Sequence, residues 1–491
     1  MRILYIDIDT LRPDHLSCYG YHRRTSPTID WVASQGVRFE RVHVSDAPCL
    51  PSRTALVTGR FGFHTGVVSH FGRAADPIPI GRERQFSTTK GFEPLFLMLQ
   101  RAGFYTVSIS PFPQRHAAWW FVGGLREWYN TGKGGLERAD EINPIAIDWL
   151  KRNARRDKWF LHINYWDPHT PYRTPLEYGN PFEDDPPPSW LTEEILRQHW
   201  EGCGYRSAQD SWTWWAGGKW ERMPENIANL SDWKRWIDGY DVGIKYTDDH
   251  VRQILDILDE EGVLDETAII ISSDHGENQG ELNFYGDHHT GDFITTRVPL
   301  IVQIPGITDN QKGRVDKALH YQFDFAATLL ELLGIPIPER WDAKSFAKAF
   351  KEGKEEGRSY LVCSQMAYLC QRCVMFERWA LIRTYHPQFS DFPPVMLFDV
   401  VEDPHELTNL AQSRPDVVEK GLAILQEWTD EMLATAIEPI DPMRIVFQEG
   451  GPWDVRKDWK RYCERLRTTG REKWAEIIEK RAASGELFRP Q

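Results

Sequence analysis

Short apolar runs that end in acidic or histidine-bearing residues recur along this chain, each in step with a segment of helical spacing. "RILYIDID" (2–9) is the first such run. "SPTIDWVASQGVRFERVHV" (26–44) reads as a helix stopped at Gly36 and then a strand, and "EPLFLMLQRAGFYTVSIS" (93–110) repeats helix, glycine stop and strand. "IAIDWLKRNARRDKWFLHINYW" (145–166) does so with another breaker, and a long helical stretch precedes the strand Ala268–Ser272. Such alternation predicts an α/β fold, a sheet with helices on its faces.

Ligands of open α/β sheets bind beyond the carboxyl ends of the strands, so the polar residues placed there are candidates for chemistry. Asp9 follows the first strand, His169 in "DPHTPY" follows another, and Asp274 and His275 in "SDHGE" follow a third. A fourth polar group comes from "APCLPSRTALVTGR" (47–60). There Pro51 and Ser52 suit a helix from Ser52 through Val57, with Cys49 near its positive end. Two carboxylates, an imidazole and a nearby oxygen or sulfur could hold one divalent cation. An Asp-rich set suits calcium, magnesium or manganese better than zinc. Singly, each residue has a plainer reading: Asp9 as a turn cap, His275 as a satisfied buried histidine.

A net charge of −14 argues against a nucleic-acid surface, and an anionic small substrate would need a local cationic pocket. No run of 18 apolar residues occurs, so no membrane span is expected. The amino terminus meets acidic residues too early for a signal peptide and reads as a strand. The seven cysteines are odd in number and dispersed, which suggests free thiols and a cytoplasmic setting. "CQRC" (370–373), with Cys363 nearby, lacks a second pair to complete a zinc site. Of 21 tryptophans, many crowd one interval, including Trp212, Trp214, Trp215 and Trp220. They are either core packing or stacking platforms.

Cys49-Leu50-Pro51-Ser52-Arg53, then four residues, then Thr58-Gly59-Arg60 resembles the signature of the sulfatase family, in which the cysteine becomes formylglycine. "LRPDHLSCYGY", "DPHTPY", "SSDHGE", "RVPLIVQIPG" and "LFDVVEDPHELTNLA" extend the resemblance in order over most of residues 1–430. It implies an alkaline-phosphatase-like mixed sheet flanked by helices, with a smaller C-terminal α+β domain. It also implies sulfate-ester hydrolysis by a hydrated aldehyde at position 49, whose regeneration expels sulfate by carbon–oxygen cleavage. Carried over residue by residue, the metal falls to Asp9, Asp274, His275 and modified Cys49. Arg53 would steady the hydrate, and His169 would touch the substrate and protonate the leaving group. A formylglycine-generating enzyme is the implied partner.

The chain also departs from the family pattern. Asp9-Thr10 stands where many sulfatases have paired aspartates, and His275 where they have asparagine. These departures look more like the choline-sulfatase and phosphonate monoester hydrolase branch. Asp7, on the face of Asp9, is expected to support the ligands from behind. His288 falls where the family has a substrate-gripping lysine, so either it is protonated in use or another cation compensates. His64, soon after "TGR", is either a further active-site cation or a helix-end residue.

The expected organisation is a catalytic domain over 1–355 with a Trp-rich insertion at about 175–236, an α+β domain over 356–440 in which "RWALIRTYHPQ" and "VMLFDVVED" form antiparallel strands and Pro415–Ala434 a helix, and a helical tail over 441–491. The tail either buries a protomer interface, giving a homo-oligomer, or packs on its own domain. The insertion is expected over the pocket, with Trp214 and Trp215 stacking on a sulfated saccharide. A phosphonate monoester or phosphodiester hydrolase with the same nucleophile is the alternative activity. A silent carbohydrate-binding protein with an unmodified Cys49 is a third reading.

Overall fold

A computed structural model describes residues 1–78 and 93–491. In chain order its strands are β1 (Arg2–Ile8), β2 (Val37–His43), β3 (Asp46–Ala47), β4 (Tyr105–Ile109), β5 (Glu127–Tyr129), β6 (Trp159–Tyr165), β7 (Thr267–Ser272), β8 (Asn278–Gln279) and β9 (Tyr285–Asp287). The remainder are β10 (Arg297–Gln303), β11 (Arg314–Tyr321), β12 (Tyr360–Gln365), β13 (Cys370–Phe376), β14 (Trp379–His386) and β15 (Val395–Asp399). The main sheet runs β11-β2-β10-β7-β1-β6-β4-β5. It is mixed: β10 is antiparallel to both β2 and β7, whereas β1 is parallel to β6 and β7. Strands β1, β6 and β7 are buried at every residue, as central strands covered by helices on both faces must be.

Helices Pro27–Gln35, Ala139–Asn153 and the long Leu230–Glu260 share one apolar core with β1, β6 and β7, in which Ile6, Trp149, Ile163 and Ile254 are fully buried. Asn229 opens the long helix by accepting the Asp232 N–H at 2.9 Å. The opposite face packs Ile3, Tyr5, Val57 and Phe325.

The second sheet, β15-β14-β13-β12-β3, carries the helix Pro415–Thr435, whose Trp428 joins Leu381 and Phe376 of the sheet in one apolar cluster. "RWALIRTYHPQ" and "VMLFDVVED" form its antiparallel pair β14 and β15, as expected. The division expected at residue 355 is crossed, however. Strand β3, just before Cys49, pairs in parallel with β12 and belongs to this C-terminal sheet. The cysteines of the "CQRC" region are buried free thiols, with Cys363 and Cys373 facing one another across β12 and β13.

The tail forms helices Met443–Gln448, Trp453–Thr468 and Glu472–Ser484 and packs on its own chain. Its Val455, Tyr462, Leu466 and Ile478 join Tyr205, Trp215 and Phe389 in a separate apolar cluster. Asp210 anchors this contact. It takes two 2.8 Å bonds from Arg471, one of 3.1 Å from Arg465 and one of 3.0 Å from Tyr462 Oη.

Candidate active site

Asp7 of β1 lies in register with Ser272 of β7, so the two strands end together and deliver Asp9 and Asp274 to one edge. Thr10 then takes φ +58°, a conformation β-branched residues seldom adopt. Its N–H donates to Asp274 Oδ1 at 3.3 Å and its carbonyl accepts from Tyr240 Oη at 2.6 Å. The turn is thereby tied to both the metal-ligand candidate and the long helix.

The cysteine segment forms the helix Cys49–Thr58, starting three residues before the expected Ser52, with all ten residues buried. Pro51 falls within its first turn, where a missing N–H costs no internal bond. Gly59 closes the helix at φ +63°, where a Cβ would lie 2.1 Å from the Trp341 ring.

One turn along, Arg53 is buried among three carboxylates. Its Nε donates to Asp7 Oδ2 at 2.8 Å, and its Nη1 donates to Asp9 Oδ2 at 3.0 Å and to Asp274 Oδ2 at 2.6 Å. Asp7 thus supports the cluster from behind, through Arg53.

Donor atoms of Asp9, Cys49, Asp274 and His275 lie within 4.8 Å of one another. Cys49 Sγ is 3.1 Å from His275 Nε2, while His275 Nδ1 donates to the Gly276 carbonyl at 2.8 Å. That outer bond fixes the tautomer and leaves the Nε2 lone pair directed at the cluster. Asp9 Oδ1 is buried without a hydrogen-bond partner. A carboxylate oxygen left without a partner, beside a second carboxylate and an imidazole, fits a divalent cation.

Cys49 sits at the positive end of its helix, yet burial, with Asp9 and Asp274 beside it, pushes its thiol well above the ordinary range. Desolvation and two carboxylates outweigh the helix dipole, so the thiolate is disfavoured and the unmodified cysteine is a poor nucleophile. Burial likewise lifts Asp274 to about 7, against the pull of Arg53.

His169 and His288 join the cluster, each offering a nitrogen within 4.8 Å of Cys49 Sγ. His169 Nδ1 donates to the Thr170 carbonyl at 2.5 Å, and burial lowers the ring to about 4. Burial and the nearby His275 push His288 well below its ordinary value. Of the two options for position 288, the protonated ring is therefore disfavoured. A cation near the cluster is Arg115, whose guanidinium lies 4.9 Å from the Trp166 ring and whose charge acts on Cys49 and His169.

Three expected site residues are not brought there. His64 Nδ1 faces Asp342 Oδ2 at 2.8 Å and its Nε2 meets the Met432 carbonyl at 3.1 Å, so it joins the two sheets' domains as a structural residue. Trp215 stacks on Tyr205 at 3.5 Å and lies 5.6 Å from Tyr462 of the tail. Trp214 crosses Trp215 at 4.3 Å beneath Arg461. These rings pack the insertion onto the tail, and their apolar faces are spent there.

Other residues at the cluster were missed. His70 and His116 each place a nitrogen within 4.8 Å of Cys49 Sγ, with their rings 4.7 Å apart. His70 Nε2 accepts the Leu50 N–H at 3.2 Å, and Tyr368, from the turn between β12 and β13, reaches His70 Nδ1 at 3.4 Å. Arg115 and His116 follow the carboxyl end of β4, so the rule that found Asp9 could have found them. His70 follows no such strand, and Tyr368 follows β12 of the second sheet.

The family model described as "Sulfatase" matches residues 2–335, with the cluster inside the matched span. The chain belongs to the sulfatase family. A second model, "N-sulphoglucosamine sulphohydrolase, C-terminal", matches residues 280–427 of this sulfatase. Iduronate 2-sulfatase of Mus musculus is 26% identical over 458 residues, spanning 80% of this chain and 79% of that protein. A structure solved with its substrate D-glucosamine-2-N,6-O-disulfate superposes with a TM-score of 0.69 at 18% identity, covering 88% of this chain and 98% of that one. Phosphonate monoester hydrolase of Agrobacterium radiobacter superposes at 0.67 with 19% identity, covering 88% and 96%. This sulfatase therefore shares their α/β fold, and its helices beyond residue 427 lie outside both family matches.

Proposed function

We propose that this sulfatase hydrolyses sulfate esters on a carbohydrate, with Cys49 converted to formylglycine and calcium, rather than magnesium or manganese, as its metal. The observation that carries the reading is the buried convergence of Asp9, Asp274 and His275 on Cys49 at the head of its helix. A hydrated aldehyde at position 49 and a divalent ion between those side chains would supply an oxygen nucleophile and neutralise charge on the sulfuryl group.

The chain's own residues do the rest. Arg53 spans Asp7, Asp9 and Asp274 and fixes their spacing. His169 keeps its Nδ1 proton on Thr170, so Nε2 is the atom that exchanges a proton with the leaving alcohol. Held at about 4 by burial, it needs the negative charge of a bound sulfate to raise its affinity for that proton. His288 offers a neutral hydrogen-bonding ring, and Arg115 supplies the cation.

A sulfated saccharide is supported by the relatives, iduronate 2-sulfatase and the protein solved with a glucosamine disulfate. Cys49 is 1% exposed, so a formylglycine-generating enzyme would act before the chain closes over it. No helix among the described residues is long and apolar enough to cross a membrane. The free thiols suit a reducing, cytoplasmic setting.

Peptide mass spectrometry on active protein tests the nucleophile: the reading expects the aldehyde at position 49, and an intact thiol there in fully active enzyme overturns it. The resemblance to phosphonate monoester hydrolase and the Asp9-Thr10 pair favour a phosphodiester or phosphonate substrate as the second reading. Parallel rates on a sulfate monoester and a matched phosphodiester decide between the two.

A further inference from the structure

A groove of about 650 Å³ opens beside the segment that carries His169, between residues 133–141, 172–176 and 219–222. Five cations line it: Lys133, Arg138, Arg173, Lys219 and Arg222. Only two lining carboxylates, Glu141 and Glu221, oppose them, in a chain whose net charge is −14. The lining thus carries more cations than anions, in contrast with the chain as a whole.

Arg173 is buried beside Asp167 at 3.7 Å, whereas three of the other cations are held loosely enough to exchange partners. Lys133 pairs with Glu141, Arg138 with Asp140 and Lys219 with Glu225, at half-buried to exposed positions. Solvent-screened pairs of this kind are weak and yield readily to a multivalent anion. Arg222 donates to the Thr174 and Pro175 carbonyls and is in no ion pair among the described residues.

Two donors at the groove have no partner. Arg173 is 6% exposed at its side chain, and its Nη2 has no hydrogen-bond acceptor. The Trp220 indole Nε1 is also buried and unbonded. Buried donors left open in this way mark a place where an acceptor-rich ligand restores bonds that the folded chain lacks. Trp220 adds a flat ring and Leu136 and Leu176 an apolar floor, which suit the faces of sugar rings. The volume falls within the range of about 300–1,000 Å³ typical of ligand sites.

We propose that this groove is a second binding site for a sulfated oligosaccharide, separate from the cluster around Cys49. The proposal rests on the saccharide reading given above. Arg173 links the two places, since it lines the groove and its Nη1 donates to the His169 carbonyl at 3.0 Å. Occupancy of the groove therefore bears on the turn that presents His169.

The test uses the full chain with Cys49 left as the thiol and a heparin-derived sulfated tetrasaccharide as probe, titrated calorimetrically at low salt. Lys133→Glu/Lys219→Glu should weaken binding at least tenfold. Lys351→Glu/Lys420→Glu, an equal change of net charge at exposed positions elsewhere, should alter it less than twofold. The chemically desulfated tetrasaccharide should not bind. Unchanged affinity in the first variant, an equal loss in the second, or undiminished binding of the desulfated probe each overturns the groove. Sulfate release from the same tetrasaccharide by the matured wild-type protein is scored separately. A groove-dependent affinity without sulfate release would sink the hydrolytic reading and leave the groove. Sulfate release with groove-independent affinity would do the reverse.

Discussion

Arg53 and Asp274 are joined by a buried ion pair of 2.6 Å, and the same guanidinium also bonds Asp7 and Asp9. Three carboxylates on one planar fork are a task lysine cannot perform, because an ammonium is a point charge without that geometry. Arg53→Lys should lower kcat by about 10²–10³-fold while leaving the chain folded. Arg53→Ala should in addition cost about 3–5 kcal/mol, since it strands the carboxylates in a dry interior. Steady-state rates and urea unfolding of both variants check this; a fully active Arg53→Lys would remove the fork from the mechanism.

Trp215 is buried on Tyr205 and the tail, which sets an expectation opposite to a sugar platform. Trp215→Ala should cost about 3–5 kcal/mol through the cavity it leaves. Turnover of a saccharide sulfate and of an aryl sulfate should fall together, or not at all, below the variant's unfolding temperature. A selective loss of saccharide turnover would restore the stacking role.

Asp210 gathers Arg465, Arg471 and Tyr462, so the tail's attachment depends on one buried carboxylate. Asp210→Ala leaves the Arg471 guanidinium without its carboxylate partner and should cost about 3–5 kcal/mol. Limited proteolysis should then cut within residues 441–491 well before the rest of the chain. Equal resistance of wild type and variant would show that the apolar contacts alone hold the tail.

His386 couples stability to pH. Its Nε2 donates to the Leu487 carbonyl at 2.8 Å and its Nδ1 accepts the Gln388 N–H at 2.9 Å, and burial lowers the ring to about 4. The folded state therefore binds its proton more weakly than the unfolded state. The contribution is fully present above about pH 6.5 and is lost as pH falls toward 4, amounting to about 2 kcal/mol by pH 5. His199, lowered to about 4 by burial, works in the same direction. Urea unfolding at pH 7.5 and 5.0 should show a smaller acid loss in His386→Gln than in wild type. Identical losses would clear His386 of this role.

Sequence periodicity resolved long elements well. The helix expected over Pro415–Ala434 runs Pro415–Thr435, and the first strand expected over Arg2–Asp9 runs Arg2–Ile8. Asp9, Asp274 and His275 were legible because each follows a strand end, a position that topology converts into proximity. Strand β3 was not, since two residues carry no period and its partner β12 lies in another part of the chain. His64 looked like a site residue by its nearness to Arg60, but its partner Asp342 comes from distant sequence. For Trp214 and Trp215, composition announced a dense aromatic interval without saying which surface would cover it. The tail that does so has its own amphipathic pattern, and no local signal matches the two.

The pairing of β3 with β12 also imposes an order in time. Ala47 meets Gln365, and the Ser364 N–H reaches the Ser45 carbonyl at 2.8 Å, so the approach to Cys49 is not clamped until residues 364 and 365 exist. At synthesis rates of about 5–20 residues per second, that segment trails behind a growing chain for roughly a quarter-minute to a minute. In the folded chain Cys49 is 1% exposed, so on the reading proposed above this interval is when a modifying enzyme would reach it. On that reading the ribosome's pace, through a two-residue strand, would set the window in which Cys49 acquires its aldehyde.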